Sequence, residues 1–139
     1  MTHYLDASAL VSMFFADAHS PAVRGLLGGA EALVVSDFAA AEFAGAIARL
    51  HRMAALDRGE AMHVFSNFDL WCASRTRRVE SQPADMAAAA SLVRDLALAI
   101  RAPDALNLAI AQRVRATLVT FDQRMAAAAR ALGLTVAEA

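Results

Sequence analysis

The sequence predicts a three-layer α/β/α fold around a central, mainly parallel sheet. Short apolar runs of strand length are separated by segments with helical spacing, as in strand–helix–strand units whose sheet is covered on both faces. The composition is 58% hydrophobic and 19% charged, with three prolines and six glycines, which is globular and helix-rich. A chain of 139 residues is the usual size of one domain able to bury a single core, and residues 1–139 are expected to form one.

His3-Tyr4-Leu5-Asp6 reads as a short buried strand. Ala7–Phe15 follows with Leu10, Val11, Phe14 and Phe15 at helical spacing. Ser20-Pro21 reads as an N-cap with proline at the first helical position, and that helix ends at Gly28-Gly29. Leu33–Val35 is the second strand, and Ser36 caps a long helix from Asp37 to about Met53 with Glu42 inside it. The next helix begins around Asp57 and carries Met62, Phe65, Phe68 and Trp71 to about Cys72. Ser74–Glu80 is a loop leading into a brief polar strand. Gln82-Pro83 starts a helix expected to reach Ala99, and Pro103 starts another with Asp104 in its first turn. Thr117–Thr120 is an apolar strand, Gln123–Leu132 a helix stopped by Gly133, and Leu134–Val136 a last strand.

Several function classes fall away on composition. No apolar run approaches the ~18 residues needed to span a bilayer. The start, MTHYLDAS, has no basic region followed by an apolar segment, so no signal peptide and a cytoplasmic location are expected. Cys72 is the single cysteine, which excludes an internal disulfide and a cysteine-based zinc site; beside Trp71 it reads as a packed thiol. All 13 basic residues are arginine, so lysine-dependent P-loop and Schiff-base chemistry is excluded. The formal net charge of −1 does not announce a nucleic-acid binder.

The acids carry the functional signal. In an open parallel sheet, functional groups gather beyond the carboxyl ends of the strands. Asp6 and Asp122 each follow a strand, and Asp104 reaches the same edge if its helix starts there. Glu42 lies in a stripe with Phe38, Ala39, Gly45 and Ala46, where a buried carboxylate needs a partner. Each acid also has a bland reading. Asp6 and Asp122 suit N-caps, Asp104 suits a helix dipole, and Glu42 suits solvent. The case for a shared site rests on the set.

Four fragments in order resemble the PIN-domain ribonucleases, especially the VapC-type toxins of bacterial toxin–antitoxin pairs. They are Tyr4-Leu5-Asp6-Ala7-Ser8, then Glu42, then Pro103-Asp104-Ala105-Leu106 ahead of Leu108-Ala109-Ile110-Ala111, and Leu118-Val119-Thr120-Phe121-Asp122 leading into Met125. The resemblance spans essentially the whole chain and implies a PIN-like sheet. One departure is Asn107, where relatives often carry His. That position lies outside the acidic set, so the change is expected to bear on substrate contacts or packing.

The resemblance implies metal-dependent hydrolysis of RNA phosphodiester bonds, with one or two Mg²⁺ or Mn²⁺ ions. Hard divalent ions prefer oxygen ligands, which suits carboxylates. By resemblance, Asp6, Glu42 and Asp104 make the principal metal site and Asp122 completes it or helps hold a second ion. Ser8 and Thr120 are short hydroxyls beside the acids that either orient a carboxylate or serve capping and packing. Carboxylates this close repel one another, so some pKa values should rise and activity should fall at mildly acidic pH.

Arg75, Arg77, Arg78 and Arg101 are the candidates for RNA phosphate contacts, against a solvated-loop reading for the first three. The family also implies a cognate antitoxin, whose C-terminal segment lies in an apolar groove and often inserts a basic side chain among the acids, and commonly a homodimer. Met13, Phe14, Phe15, Phe65, Phe68 and Trp71 are candidates for such a groove, with core packing the better reading for most. Rival classes fit less well. A receiver-like module requires a lysine near its acids. A haloacid-dehalogenase-like phosphatase wants a second aspartate two residues after the first, where this chain has Ser8. A catalytically silent PIN-like binding protein remains the alternative.

Overall fold

A computed structural model describes residues 1–29 and 32–137. Its elements are β1 (Thr2–Leu5), α1 (Ala7–Phe14), α2 (Ser20–Gly28), β2 (Ala32–Ser36), α3 (Asp37–Arg52), α4 (Arg58–Arg75), β3 (Arg77–Val79), α5 (Pro83–Arg94), α6 (Ala102–Arg113), β4 (Thr117–Val119) and α7 (Gln123–Ala131). The four strands lie in the order β3-β2-β1-β4, every pairing parallel, with Tyr4 opposite both Val34 and Leu118.

Alternation along each strand builds the two faces. Tyr4, Val34, Val79 and Leu118 point to one side, where Ala105, Leu108 and Ile110 of α6, Ala89 of α5 and Met125 of α7 pack on them. Leu5, Leu33, Val35 and Val119 point to the other, against Leu10, Val23, Phe43, Ile47 and Phe68 from α1 to α4. Where both faces of the sheet are covered, successive strand positions are apolar, which is why β1, β2 and β4 read as near-continuous runs, whereas the edge strand β3 keeps Arg77 and Arg78 exposed. Phe14 sets its ring edge-on to Phe43, Phe68 and Trp71 at 5.8, 5.6 and 5.5 Å, locking α1, α3 and α4 together. Cys72 packs against this cluster, and burial pushes its thiol pKa up, as the packed-thiol reading requires.

Local chemistry fixes where the chain turns. Asp6 and Asp122 follow β1 and β4 and Ser36 ends β2, and each caps the next helix through its side chain. Asp57 and Glu60 form a reciprocal capping box at the start of α4. Since all the strands run the same way, three of these caps land on one sheet edge. Helix α6, returning toward the start of β4, begins at that edge with Asp104 in its first turn.

Some expected boundaries move. Helix α5 stops at Arg94 rather than Ala99; a 3-10 turn over Leu96–Leu98 and a left-handed Ala99 (φ 53°) swing the chain back so that α6 packs beside α5. An alanine run carries no stop signal, so the end is set by that packing. Helix α4 runs on through Ser74 and Arg75, and the polar strand is Arg77–Val79. Ser20 opens α2 from inside rather than capping it; its hydroxyl accepts from Asp17 N–H at 2.9 Å and donates to Ser12 carbonyl at 2.7 Å, bracing the α1–α2 turn. The expected strand at 134–136 is one parallel bridge, Val136 to Leu118, because Gly133 (φ 80°) turns the chain onto β4 for only that stretch.

The α5–α6 pair carries an interaction that the sequence does not advertise. Asp85, only 2% exposed, takes two hydrogen bonds from the Arg113 guanidinium, at 2.8 and 2.9 Å, and one from Gln82 N–H at 2.8 Å. The guanidinium holds the Asp85 carboxyl below the usual carboxylate range. A depressed pKa gives stability that is present above the unfolded value of about 4 and lost as pH falls below it. Asp85→Asn should therefore lower the unfolding free energy by about 2 kcal/mol in urea titrations at neutral pH, with the gap to wild type closing below about pH 4. A gap that stays constant down to acid pH would contradict this role.

Candidate active site

Asp6 is the anchor of the sheet edge. It is 3% exposed, and both carboxylate oxygens are occupied. Oδ1 accepts from Ser8 Oγ at 2.6 Å and from Ala9 N–H at 3.0 Å, while Oδ2 accepts from the Thr120 hydroxyl. The same hydroxyls also receive. Ser8 Oγ accepts from Phe121 N–H at 2.9 Å, and Thr120 Oγ1 accepts from Asp122 N–H at 3.0 Å. Ser8 and Thr120 thus bind the start of α1 to the turn after β4, with Asp6 between them. Asp122 closes the turn by accepting from the Arg124 and Met125 N–H groups at 2.9 and 3.1 Å.

Glu42 is half-buried on α3, and its partner is Asn107 of α6. Asn107 Nδ2 donates to Glu42 Oε1 at 2.8 Å and to Pro103 carbonyl at 3.1 Å. Its Oδ1 accepts from Tyr4 OH at 2.6 Å, and Tyr4 OH lies 2.7 Å from Ser36 Oγ. Proton counting gives this chain a direction. Tyr4 has one hydroxyl proton and gives it to Asn107, so the Ser36 hydroxyl donates to Tyr4 while accepting Ala39 N–H at 2.9 Å. Ser36, Tyr4, Asn107 and Glu42 form one directed relay through the sheet edge. Asn107, expected to bear more on substrate contacts or packing, is here the hydrogen-bond partner of an acid of the set. In sequence Tyr4 looks like core and Ser36 like a cap, and only their meeting across 32 residues shows the link.

The acids feel one another as a ring. The charges of Asp6 and Asp104 raise the Glu42 pKa, and that of Asp122 raises both Asp6 and Asp104. In every case burial is the larger cause, so desolvation rather than repulsion dominates the shifts. Arg101 and Arg124 act the other way on Asp104. Arg101 thus lies within electrostatic range of the site, and Arg124 is a neighbour that the sequence reading missed. Arg75 ends α4 and Arg77 and Arg78 lie exposed on β3, two strands away from β1. They are not brought to the acids.

The donor set is carboxylate oxygen, which suits Mg²⁺ or Mn²⁺ and not a thiol-seeking metal. Among the described residues, no three His, Cys, Asp or Glu side chains stand close enough to hold an ion by themselves. Glu42 and Asp122 are only partly buried, and each has an oxygen that accepts none of the hydrogen bonds described above.

The sequence profile of the PIN domain matches residues 3–131. The chain belongs to the PIN domain family. Solved structures share this PIN fold. VapC20 of Mycobacterium tuberculosis, described as a sarcin–ricin loop cleaving toxin, is 17% identical with a TM-score of 0.72, covering 91% of this chain and 94% of that one. FitAcB of Neisseria gonorrhoeae is 18% identical with a TM-score of 0.74, over 98% and 96%. VapBC2 of Rickettsia felis, bound to a DNA fragment from its promoter, is 18% identical with a TM-score of 0.70, over 99% and 98%. No curated protein matches the sequence at a significant level. Among the described residues, no helix of this PIN domain is long and apolar enough to cross a membrane.

The raised pKa values fix the sign of a pH effect. A carboxyl whose folded pKa exceeds its unfolded one destabilises the fold when ionised. Stability is then gained as pH falls through the folded value, and the gain is complete below the unfolded one. The metal-free PIN domain should therefore melt at a higher temperature at mildly acidic than at neutral pH, before Asp85 begins to protonate. Glu42→Gln keeps the acceptor for Asn107 and should flatten part of that slope. Differential scanning fluorimetry in chelator across this range checks both.

Proposed function

We propose that this PIN domain is a Mg²⁺- or Mn²⁺-dependent endoribonuclease, acting as the toxin of a toxin–antitoxin pair. The observation that carries the reading is the ring of mutually repelling carboxylates Asp6, Glu42, Asp104 and Asp122 at one sheet edge. Burying several like charges together is costly, and a divalent cation is the simplest group that offsets it.

Asp6, Glu42 and Asp104 would hold the principal ion, and Asp122 would complete the site or support a second. Such an ion supplies Lewis acidity at phosphorus and activation of water for attack. The protein's own part is orientation. Ser8 and Thr120 fix the Asp6 carboxylate in one rotamer through hydrogen bonds to both oxygens. Asn107 fixes Glu42, and Tyr4 fixes Asn107. Arg101 and Arg124 flank Asp104 with positive charge that suits a phosphate approaching the edge. Arg75, Arg77 and Arg78 would serve only RNA that extends across the β3 side.

The partners proposed are a cognate antitoxin and a second copy of the chain, in the cytoplasm. The toxin reading is supported by fold likeness to VapC20 and to the VapBC2 and FitAcB structures. The groove of about 420 Å³ between α3 and α4, lined by Phe43, Phe65 and Phe68 with Asp37, Asp69 and Arg78, is one partly apolar surface that would suit an antitoxin segment.

Two experiments test this. On bulk cellular RNA with Mg²⁺ or Mn²⁺, wild type should cleave, while chelator, Asp6→Asn and Asp104→Asn should each reduce the rate at least about 100-fold, the scale expected for losing a metal-centred charge stabiliser. Cleavage persisting in chelator would sink the mechanism, and silence in all conditions would favour a non-catalytic binding protein. Separately, Asn107→Leu should weaken Mn²⁺ binding in calorimetry and lower kcat about tenfold, within the ~10–100-fold cost of losing a ligand-orienting partner.

A further inference from the structure

Beside the acids lies a feature that the proposed chemistry leaves unused. The imidazole of His19, exposed in the α1–α2 turn, stacks on the ring of Phe121 with centroids 4.3 Å apart and planes 11° from parallel. Phe121 sits between Thr120 and Asp122, and its N–H is held by Ser8 Oγ, the same oxygen that donates to Asp6. The stacked pair is therefore tied to the acidic edge through a single hydroxyl. The His19 backbone N–H donates to Asp17 Oδ1 at 2.8 Å, which holds the turn that carries the ring, and Asp17 is braced by Ser12 Oγ at 2.8 Å.

Two clefts flank the pair, and both reach Asp122. One, of about 400 Å³, runs from Ser8 past Asp17 and His19 to Ala46, one turn of α3 beyond Glu42. The other, of about 260 Å³, lies on the α7 side against Gln123. The first is of ordinary size for a small-molecule or nucleobase site. Its walls decide the chemistry. The carboxylates of Asp17 and Asp122 line it, and a phosphate is repelled there. The inner faces of the two rings cover each other, so the outer face of the exposed His19 ring, backed by Phe121, is the flat, polarisable surface, and a planar neutral ring is the ligand that such walls accept.

We propose that His19 and Phe121 form a stacking site for one unpaired base of a single-stranded RNA, adjoining the carboxylates that would act on its backbone. This rests on the nuclease reading and extends it to the form of the substrate. Stacking of a base on an aromatic side chain contributes about 1–3 kcal/mol and requires that the base be out of a helix. The site thus selects single strands and loops over duplex.

The test uses the exposed member of the pair, whose replacement leaves the core intact. His19→Ala and His19→Phe are made in the full chain and compared with wild type by cleavage of a fluorescein-labelled, mixed-sequence single-stranded RNA in Mn²⁺. Binding of the same oligonucleotide is read by fluorescence polarisation in an Asp104→Asn background. His19→Ala is expected to raise KM and the dissociation constant about tenfold, the factor for ~1.4 kcal/mol, with kcat, melting temperature and Mn²⁺ affinity unmoved. His19→Phe should keep wild-type values, and an oligonucleotide carrying abasic positions should bind wild type and His19→Ala alike. Equal affinities for wild type and His19→Ala would overturn the stacking site. So would equal losses in His19→Ala and His19→Phe, which would assign the contact to imidazole charge. If wild type neither binds Mn²⁺ nor cleaves RNA, the nuclease reading fails, while the polarisation series still decides the stacking site.

Discussion

A carboxylate as buried as Asp6 survives only because the fold was built around its hydrogen bonds. Each of its oxygens is claimed by a donor, and those donors come from both ends of the chain: Ser8 and Ala9 from α1, Thr120 from the turn after β4. The same two hydroxyls then satisfy the Phe121 and Asp122 N–H groups. Removing the acid would orphan several groups at once. The end of β1, the start of α1 and the turn from β4 into α7 are fixed relative to one another by this one side chain. Asp6 is therefore an N-cap whose second oxygen also ties the start of α1 to the turn after β4.

The parts legible in the sequence are those whose cause is local. A strand followed by a capping residue is visible as such at Asp6, Ser36 and Asp122. The parallel direction of the strands then places the caps on one edge without further information. Asp104 was legible for the same reason, since a helix returning toward a parallel strand must begin where the other strands end. What escaped depends on pairs far apart in the chain. Arg113 meets Asp85 across 28 residues and Tyr4 meets Asn107 across 103. No local pattern distinguishes a tyrosine that fills the core from one whose hydroxyl orients an amide. The end of α5 escaped for a different reason, because Ala and Leu continue a helix as readily as they leave it, and the packing of α6 decides.

Glu42 shows how the two kinds of information meet. Its sequence setting among small and apolar residues demanded a partner and could not name one. The partner is a residue singled out for a different reason, as a departure from the family pattern at position 107. An amide there has a consequence that an imidazole would not. It cannot change its charge within the working pH range, so the Glu42 carboxylate keeps the same neutral donor from acid to base.

That neutrality extends across the site and bears on what it can bind. The donors to Asp6 are two hydroxyls and a backbone N–H, and the donor to Glu42 is an amide. None of them offsets a negative charge; they orient it. Asp104 accepts a hydrogen bond from the Arg101 backbone N–H, and the charges of Arg101 and Arg124 act on it through space. A fold that wished only to bury these acids would have paired them as it paired Asp85, with a guanidinium bonded to both oxygens. The contrast between Asp85 and the ring is internal to the molecule. Where charge is to be neutralised, this protein uses arginine and the carboxyl pKa falls. Where charge is to be kept available, it uses hydroxyls and an amide, and burial drives the pKa up. On the proposed reading, the stability forgone at the ring is the free energy that a bound cation would recover.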